Sequence, residues 1–119
     1  MVCHPKFLAG LSRVFADEAA FRAQCVVLLL LLPLAAGLAR SALEFSLLVG
    51  MWLLVLAGEL INSAIEAAID RVGPEIHPLS AKAKDAGSAM VLTLMVLAGL
   101  VWLAVIVDRF IARAPTQTY

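Results

Sequence analysis

The chain has 119 residues, is 63% hydrophobic, and carries nine Lys and Arg against nine Asp and Glu. A soluble domain is about 45–50% apolar. Here the excess, a mean hydropathy of +0.99, lies in runs, which excludes an ordinary soluble globule and predicts one integral membrane domain. Zero net charge gives no sign of a nucleic-acid partner. Two cysteines, Cys3 and Cys25, build no disulfide framework and share no metal-ligand spacing with His4 or His77. Cys3 reads as a free thiol and Cys25 as a small apolar residue opening a span.

The first element, about residues 7–22, is amphipathic. At 100° per residue Phe7, Leu8, Leu11, Val14 and Phe15 share a face, while Lys6, Arg13 and Asp17 fall off it. This predicts a helix lying in the membrane interface. Glu18 falls on the apolar side. Either it meets a cation or metal there, or it turns outward at the helix end.

A first span is predicted over about 23–39, between Arg22 and Arg40, with Pro33 as a kink. A cleaved signal peptide is not expected, because some 24 residues precede the run and include Asp17 and Glu18. A second span begins near Phe45. Its uncharged stretch ends at Gly58 and is too short to cross, so the span must continue through "ELINSAIEAAID" to about Ile69. Residues 71–85 read as a polar loop in which Gly73-Pro74 stops the second span, Pro78 delays the next helix and Ser80 caps it. The clearest span is 86–107, which has no charged residue and at about 1.5 Å per residue reaches about 33 Å. Trp52 and Trp102 are expected to pack against lipid or helices.

Orientation follows from the basic residues. Lys6, Arg13, Arg22, Arg71, Lys82 and Lys84 fall on one side; Arg40, Arg109 and Arg113 fall on the other. The richer side is predicted to be cytoplasmic, with the N-terminus inside.

The chemistry-bearing feature is the charged end of the second span. Glu59, Asn62, Ser63, Glu66 and Asp70 fall within about 100° of one helix face. One polar stripe facing a bundle interior explains how a span tolerates them, and ionisable groups inside a span mark functional sites. Asn62 and Ser63 read equally well as helix–helix glue, with Ala64, Ala67 and Ala68 permitting close approach. Glu59 does not, because an unpaired anion in lipid is costly.

From Phe45 at one boundary, Glu59 lies roughly 21 Å and Glu66 about 31 Å along the helix. A carboxylate withdrawn from water suits a general base. Glu66 at the water's edge, with a second carboxylate, suits Mg²⁺ with substrate phosphates. Lys84 reads as a phosphate partner or a snorkelling lysine. Asp85 reads as a helix-start charge and His77 as a solvated loop residue. No phosphate loop of the G-x-x-x-x-G-K type and no soluble-kinase signature is present. Two classes fit: an interfacial enzyme acting on lipid, or a small proton-coupled transporter using Glu59.

The segments "EAAFR" at 18–22, "GELINSAIEAAIDRVG" at 58–73 and "EIHPLSAKAKDAGSA" at 75–89 resemble the prokaryotic integral membrane diacylglycerol kinases, over about residues 10–108. The resemblance implies an all-α membrane protein with three transmembrane helices, an N-terminal surface helix and a homotrimeric assembly. It implies a multi-pass protein of the bacterial inner membrane with its active site on the cytoplasmic side. It implies transfer of the ATP γ-phosphate to the primary hydroxyl of diacylglycerol, giving phosphatidic acid, with undecaprenol kinases as close relatives.

On this resemblance Glu59 matches the catalytic base, and Glu18 and Glu66 match metal-ligating carboxylates that also touch ATP. Glu75, Ile76, His77, Lys84 and Asp85 match nucleotide contacts. Ala20, Phe21, Arg22, Ala23, Gln24, Glu59 and Ser88 match the lipid side of the site, and Asn62 a supporting position. The chain departs from the pattern in three places. The early arginine has no counterpart, Phe7 replaces a small polar residue, and Ala23-Gln24 stands for the usual Gln-Glu.

Overall fold

A computed structural model describes residues 3–111; Arg113, counted above in the charge balance, lies outside them, as do the side chains of Cys3 and His4. Four helices follow one another: α1 (Cys3–Asp17), α2 (Ala19–Leu38), α3 (Ala42–Val72) and α4 (Pro78–Phe110). Helices α2, α3 and α4, of 20, 31 and 33 residues, are long and apolar enough to cross a membrane. The all-helical, three-span reading of the sequence therefore holds, and the boundaries are where it needs correction.

The first helix was expected to run to Arg22. It stops at Asp17, because Glu18 takes an extended conformation (φ −114°, ψ 109°) and a new helix begins at Ala19. The cause is a tertiary contact. The Arg22 guanidinium donates to the carbonyls of Phe15 (2.8 Å) and Ala16 (2.9 Å), two of the unpaired acceptors at the C-terminus of α1. The "EAAFR" segment thus forms the joint between α1 and α2 and the first turn of the span.

Helix α3 begins three residues before the expected Phe45. Ser41 caps it, accepting from the Glu44 backbone N–H at 3.1 Å. The Glu44 carboxylate reaches back to the Arg40 N–H (2.8 Å) and guanidinium (2.7 Å). This S-x-x-E pattern is the capping-box signature, with the Glu44 carboxylate reaching one residue beyond the cap.

At the other end α3 stops at Val72, as expected, on Gly73 with φ 153°, a conformation few side chains tolerate. The following loop is shorter than expected. Pro78 does not delay α4 but opens it, in the first-turn position where its missing N–H costs nothing. His77, not Ser80, is the cap: its Nδ1 accepts from the Leu79 N–H at 3.1 Å.

Helix α3 is the centre of the fold, packing against α4, α2 and α1, while α1 and α4 do not meet. Two glycines set the close approach of α3 to α4. A side chain at Gly58 would strike Leu94, and one at Gly87 would strike the Asn62 amide. Near the α2–α3 turn an apolar cluster of Ala35, Leu48 and Val105 is covered by Leu38, Ala39, Val49 and Trp102. Trp102 and Trp52 do more than pack. Trp102 Nε1 donates to the Leu48 carbonyl and Trp52 Nε1 to the Gln24 carbonyl, each at 3.0 Å. Long apolar side chains such as Leu29, Leu53, Leu92 and Leu100 point outward along all three long helices, the pattern of surface that faces hydrocarbon or another subunit.

Candidate functional site

The stripe predicted on α3 is divided between two neighbours. Asn62 and Asp70 face α4: the Asn62 amide lies against Gly87, and Asp70 accepts a hydrogen bond from Lys84 at 2.7 Å. Ser63 instead lines a groove beneath α1. Glu66, Glu59 and Asp70 fall at angles between those of Asn62 and Ser63.

Glu59 is the buried charged side chain of the described residues, only 8% exposed. The polar groups near enough to act on it are the Gln24 side chain from α2 and the carboxylates of Glu18 and Glu66. The three carboxylates singled out in the sequence therefore converge, although Glu18 is 41 residues from Glu59 in the chain. The same Gln24 amide nitrogen, Nε2, lies 3.9 Å from the Met95 Sδ. Asn62 Nδ2 donates to Glu66 Oε1 at 3.3 Å, which orients that carboxylate. The Asn62 Oδ1 is left buried without a protein partner. A buried acceptor of this kind costs about 1–3 kcal/mol unless it is satisfied.

The carboxylate set suits a hard, oxygen-ligated cation rather than a thiophilic one. Among the described residues no three His, Cys, Asp or Glu side chains form a ready-made cage. Two carboxylates with substrate oxygens and water completing the shell is the usual manner of holding Mg²⁺, so Glu18 and Glu66 fit that ion.

The remaining candidates are distributed around this centre. Phe21 is buried; Arg22 and Gln24 are half-buried; Ala20, Ala23 and Ser88 are exposed. Arg22 is already engaged in closing α1. Glu75, Ile76 and His77 form the exposed connection between α3 and α4, with no side-chain contact to Glu18, Glu59 or Glu66 among the described hydrogen bonds. Asp85 is exposed at the start of α4, beside Lys84 and its partner Asp70.

Two grooves flank α1, separated by a ridge of Phe7, Leu11 and Leu60. One, of about 500 Å³, is walled by the charged flank of α1 and by Ser63, Ala64 and Ala67 of α3, and it contains Glu18. The other, of about 760 Å³, is apolar: Leu8, Phe15, Phe21, Cys25, Leu53 and Leu56 line it, together with Ala57 and Leu60, on a face of α3 turned away from Glu59. Neither groove was legible in the sequence, because each depends on where α1 comes to rest. Asp70, on the stripe by periodicity, is paired with Lys84, 14 residues away across the α3–α4 turn. No local signal announces that pair.

Comparison with known proteins gives a consistent result. The sequence profile of the prokaryotic diacylglycerol kinases matches residues 7–106. The diacylglycerol kinase of Haemophilus influenzae is 44% identical over 95 residues, 80% of each chain. That of Escherichia coli K12 is 42% identical over 101 residues, 85% of this chain and 83% of its own. That of Pseudomonas aeruginosa is 42% identical over 99 residues, 83% of this chain and 80% of its own.

Proposed function

The chain belongs to the prokaryotic diacylglycerol kinase family, and on that premise we propose that it is an ATP-dependent lipid kinase, transferring the γ-phosphate to the primary hydroxyl of diacylglycerol. Phosphatidic acid and ADP are the products. The observation that carries the reading is the buried Glu59, with Glu18 and Glu66 near enough to act on its charge.

In this reading Glu59 accepts the proton of the lipid hydroxyl as its oxygen attacks the γ-phosphorus in line. Gln24 holds the Glu59 carboxyl in place from the α2 side. Glu18 and Glu66 hold Mg²⁺, with the Asn62 amide fixing the angle of Glu66. When bound, the cation neutralises charge on the phosphates. Lys84, released from Asp70, meets phosphate oxygens, while Glu75, Ile76, His77 and Asp85 contact the rest of the nucleotide. The apolar groove beside Ala57 and Leu60 receives lipid chain, with Ala20, Phe21, Arg22, Ala23 and Ser88 around the lipid side. Most of the rate then comes from positioning the two substrates and from charge neutralisation.

The site belongs at the cytoplasmic face of the bacterial inner membrane, where ATP is, and the excess of basic residues on that side supports this orientation. Helix α1 lies in the interface, consistent with its exposed Phe7, Leu8 and Phe15. The chain assembles as a homotrimer, for which the unburied apolar faces of α2, α3 and α4 leave ample surface.

The test is direct. Purified protein in detergent is given Mg-ATP and a panel of diacylglycerol and undecaprenol, and phosphorylated lipid is scored. Phosphatidic acid is the expected product. Product from undecaprenol alone would move the chain to the sister activity. No product, with proton-coupled flux in liposomes lacking ATP, would replace the enzyme by a transporter.

A further inference from the structure

Trp52 and Glu59 stand on one face of α3, within about 20° of each other and roughly 10 Å apart along the axis. Both meet the same residue of α2. The Trp52 Nε1–H donates to the Gln24 carbonyl at 3.0 Å, and the Gln24 side chain is near enough to act on the Glu59 carboxylate. Helix geometry accounts for the double attachment. Ala35 and Leu48 share the apolar cluster beside the α2–α3 turn. Eleven residues before Ala35 stands Gln24, and eleven after Leu48 stands Glu59, so antiparallel packing brings the two level. Carbonyls of α2 point toward its C-terminal end, while side chains lean back toward its start. Gln24 therefore offers its carbonyl to Trp52, deeper in the bundle, and keeps its amide for Glu59.

An indole N–H inside a span needs an acceptor, and the second lone pair of a helix carbonyl supplies one. What the bond does depends on where it falls. Trp102 makes the same bond beside an apolar cluster, whereas Trp52 makes it on the neighbour of the buried carboxylate. The Gln24 amide also approaches the Met95 Sδ of α4, a weak acceptor that does not compete with a carboxylate. A glutamine side chain is long and flexible, so its amide meets Glu59 in one geometry only when its backbone is held. We propose that Trp52 is a positioning residue for Glu59, acting through Gln24. Its N–H fixes the height of Gln24 against α3, so that the amide occupies one oxygen of the Glu59 carboxylate and leaves the other for the proton of the lipid hydroxyl. The inference rests on the lipid-kinase reading and adds Trp52 to the groups that reading uses.

The experiment compares steady-state kinetics in mixed micelles of diacylglycerol with phosphatidylcholine for Trp52→Phe, Trp102→Phe, Gln24→Leu and the double variant Trp52→Phe with Gln24→Leu. Trp102→Phe is the control, because it deletes the same kind of bond at the other end of the bundle. Trp52→Phe is expected to lower kcat about three- to tenfold, with the KM for MgATP and for diacylglycerol within about twofold. Trp102→Phe should leave kcat within about twofold, and so should the loss of Trp52 in the Gln24→Leu background, because the two residues act as a unit. If Trp52→Phe does not fold, 3-benzothienylalanine at position 52, which keeps the shape of indole and lacks its N–H, takes its place with the same expectation. An unchanged kcat overturns the proposal. So does an equal loss from Trp102→Phe, or an undiminished loss in the Gln24→Leu background, which would separate Trp52 from Gln24. A raised KM for diacylglycerol with kcat intact assigns Trp52 to lipid contact and overturns it too. Absence of any MgATP-dependent lipid product from the wild-type protein would instead bring down the lipid-kinase reading beneath it.

Discussion

The two ends of the three-helix bundle are built on opposite rules. Around the α2–α3 turn, Ala35, Leu48 and Val105 close an apolar cluster, Trp102 satisfies its N–H on the Leu48 carbonyl, and Ser41 and Glu44 cap the helix start. At the other end the same α3 buries Glu59, leaves Asn62 Oδ1 without a partner, and gathers three carboxylates. The first end minimises unsatisfied polar groups. The second accumulates them, which is what a site awaiting polar substrates does. One helix can do both because 31 residues, about 46 Å at 1.5 Å each, give it more length than a bilayer core of about 30 Å requires.

Five substitutions test that division. The largest effect is expected from Glu59→Gln: diacylglycerol phosphorylation falls about 10²–10⁴-fold, the usual worth of a general base, while thermal inactivation in detergent is unchanged or slower. Near wild-type turnover would break the assignment of Glu59 to chemistry. Leu48→Ala should show the reverse, a loss of about 2–5 kcal/mol in unfolding titrations, with specific activity of the folded fraction within twofold. A matching collapse of kcat would mean the two ends are not separable.

Next in size, Glu18→Gln and Glu66→Gln should each raise the Mg²⁺ concentration for half-maximal activity by about tenfold or more. Unchanged Mg²⁺ dependence in both would remove them from the metal site. The smallest effect is expected from Ser41→Ala, about 1 kcal/mol of stability from the lost cap. Both KM values should be untouched, and a shift in either would show coupling along α3.

How much of this was readable from residues alone depended on the range of the cause. The spans were legible because hydropathy acts locally, and the convergence of Glu59 and Glu66 followed from helical period. The N-terminal limit of α3 was legible in principle, since Ser41-x-x-Glu44 is a local signature. The start of α4 departs from the expectation of a Pro78 break because proline in the first turn is compatible with a helix. The break at Glu18 was not legible, because it rests on Arg22 capturing carbonyls six and seven residues back. The pairing of Asp70 with Lys84 and the seating of Asn62 against Gly87 depend on how α3 and α4 cross, which sequence spacing does not specify.

The two indole hydrogen bonds have a practical side. The chain has two tryptophans, and each sits in a different half of the bundle. Trp102 borders the apolar cluster, and Trp52 is tied to the carbonyl of Gln24, whose amide neighbours Glu59. Indole fluorescence responds to the polarity and hydrogen bonding around the ring. Replacing either tryptophan by phenylalanine therefore leaves an emitter confined to one half. Emission from Trp52 then follows events at the carboxylate centre, and that from Trp102 follows the integrity of the opposite end, with no extrinsic label in the membrane.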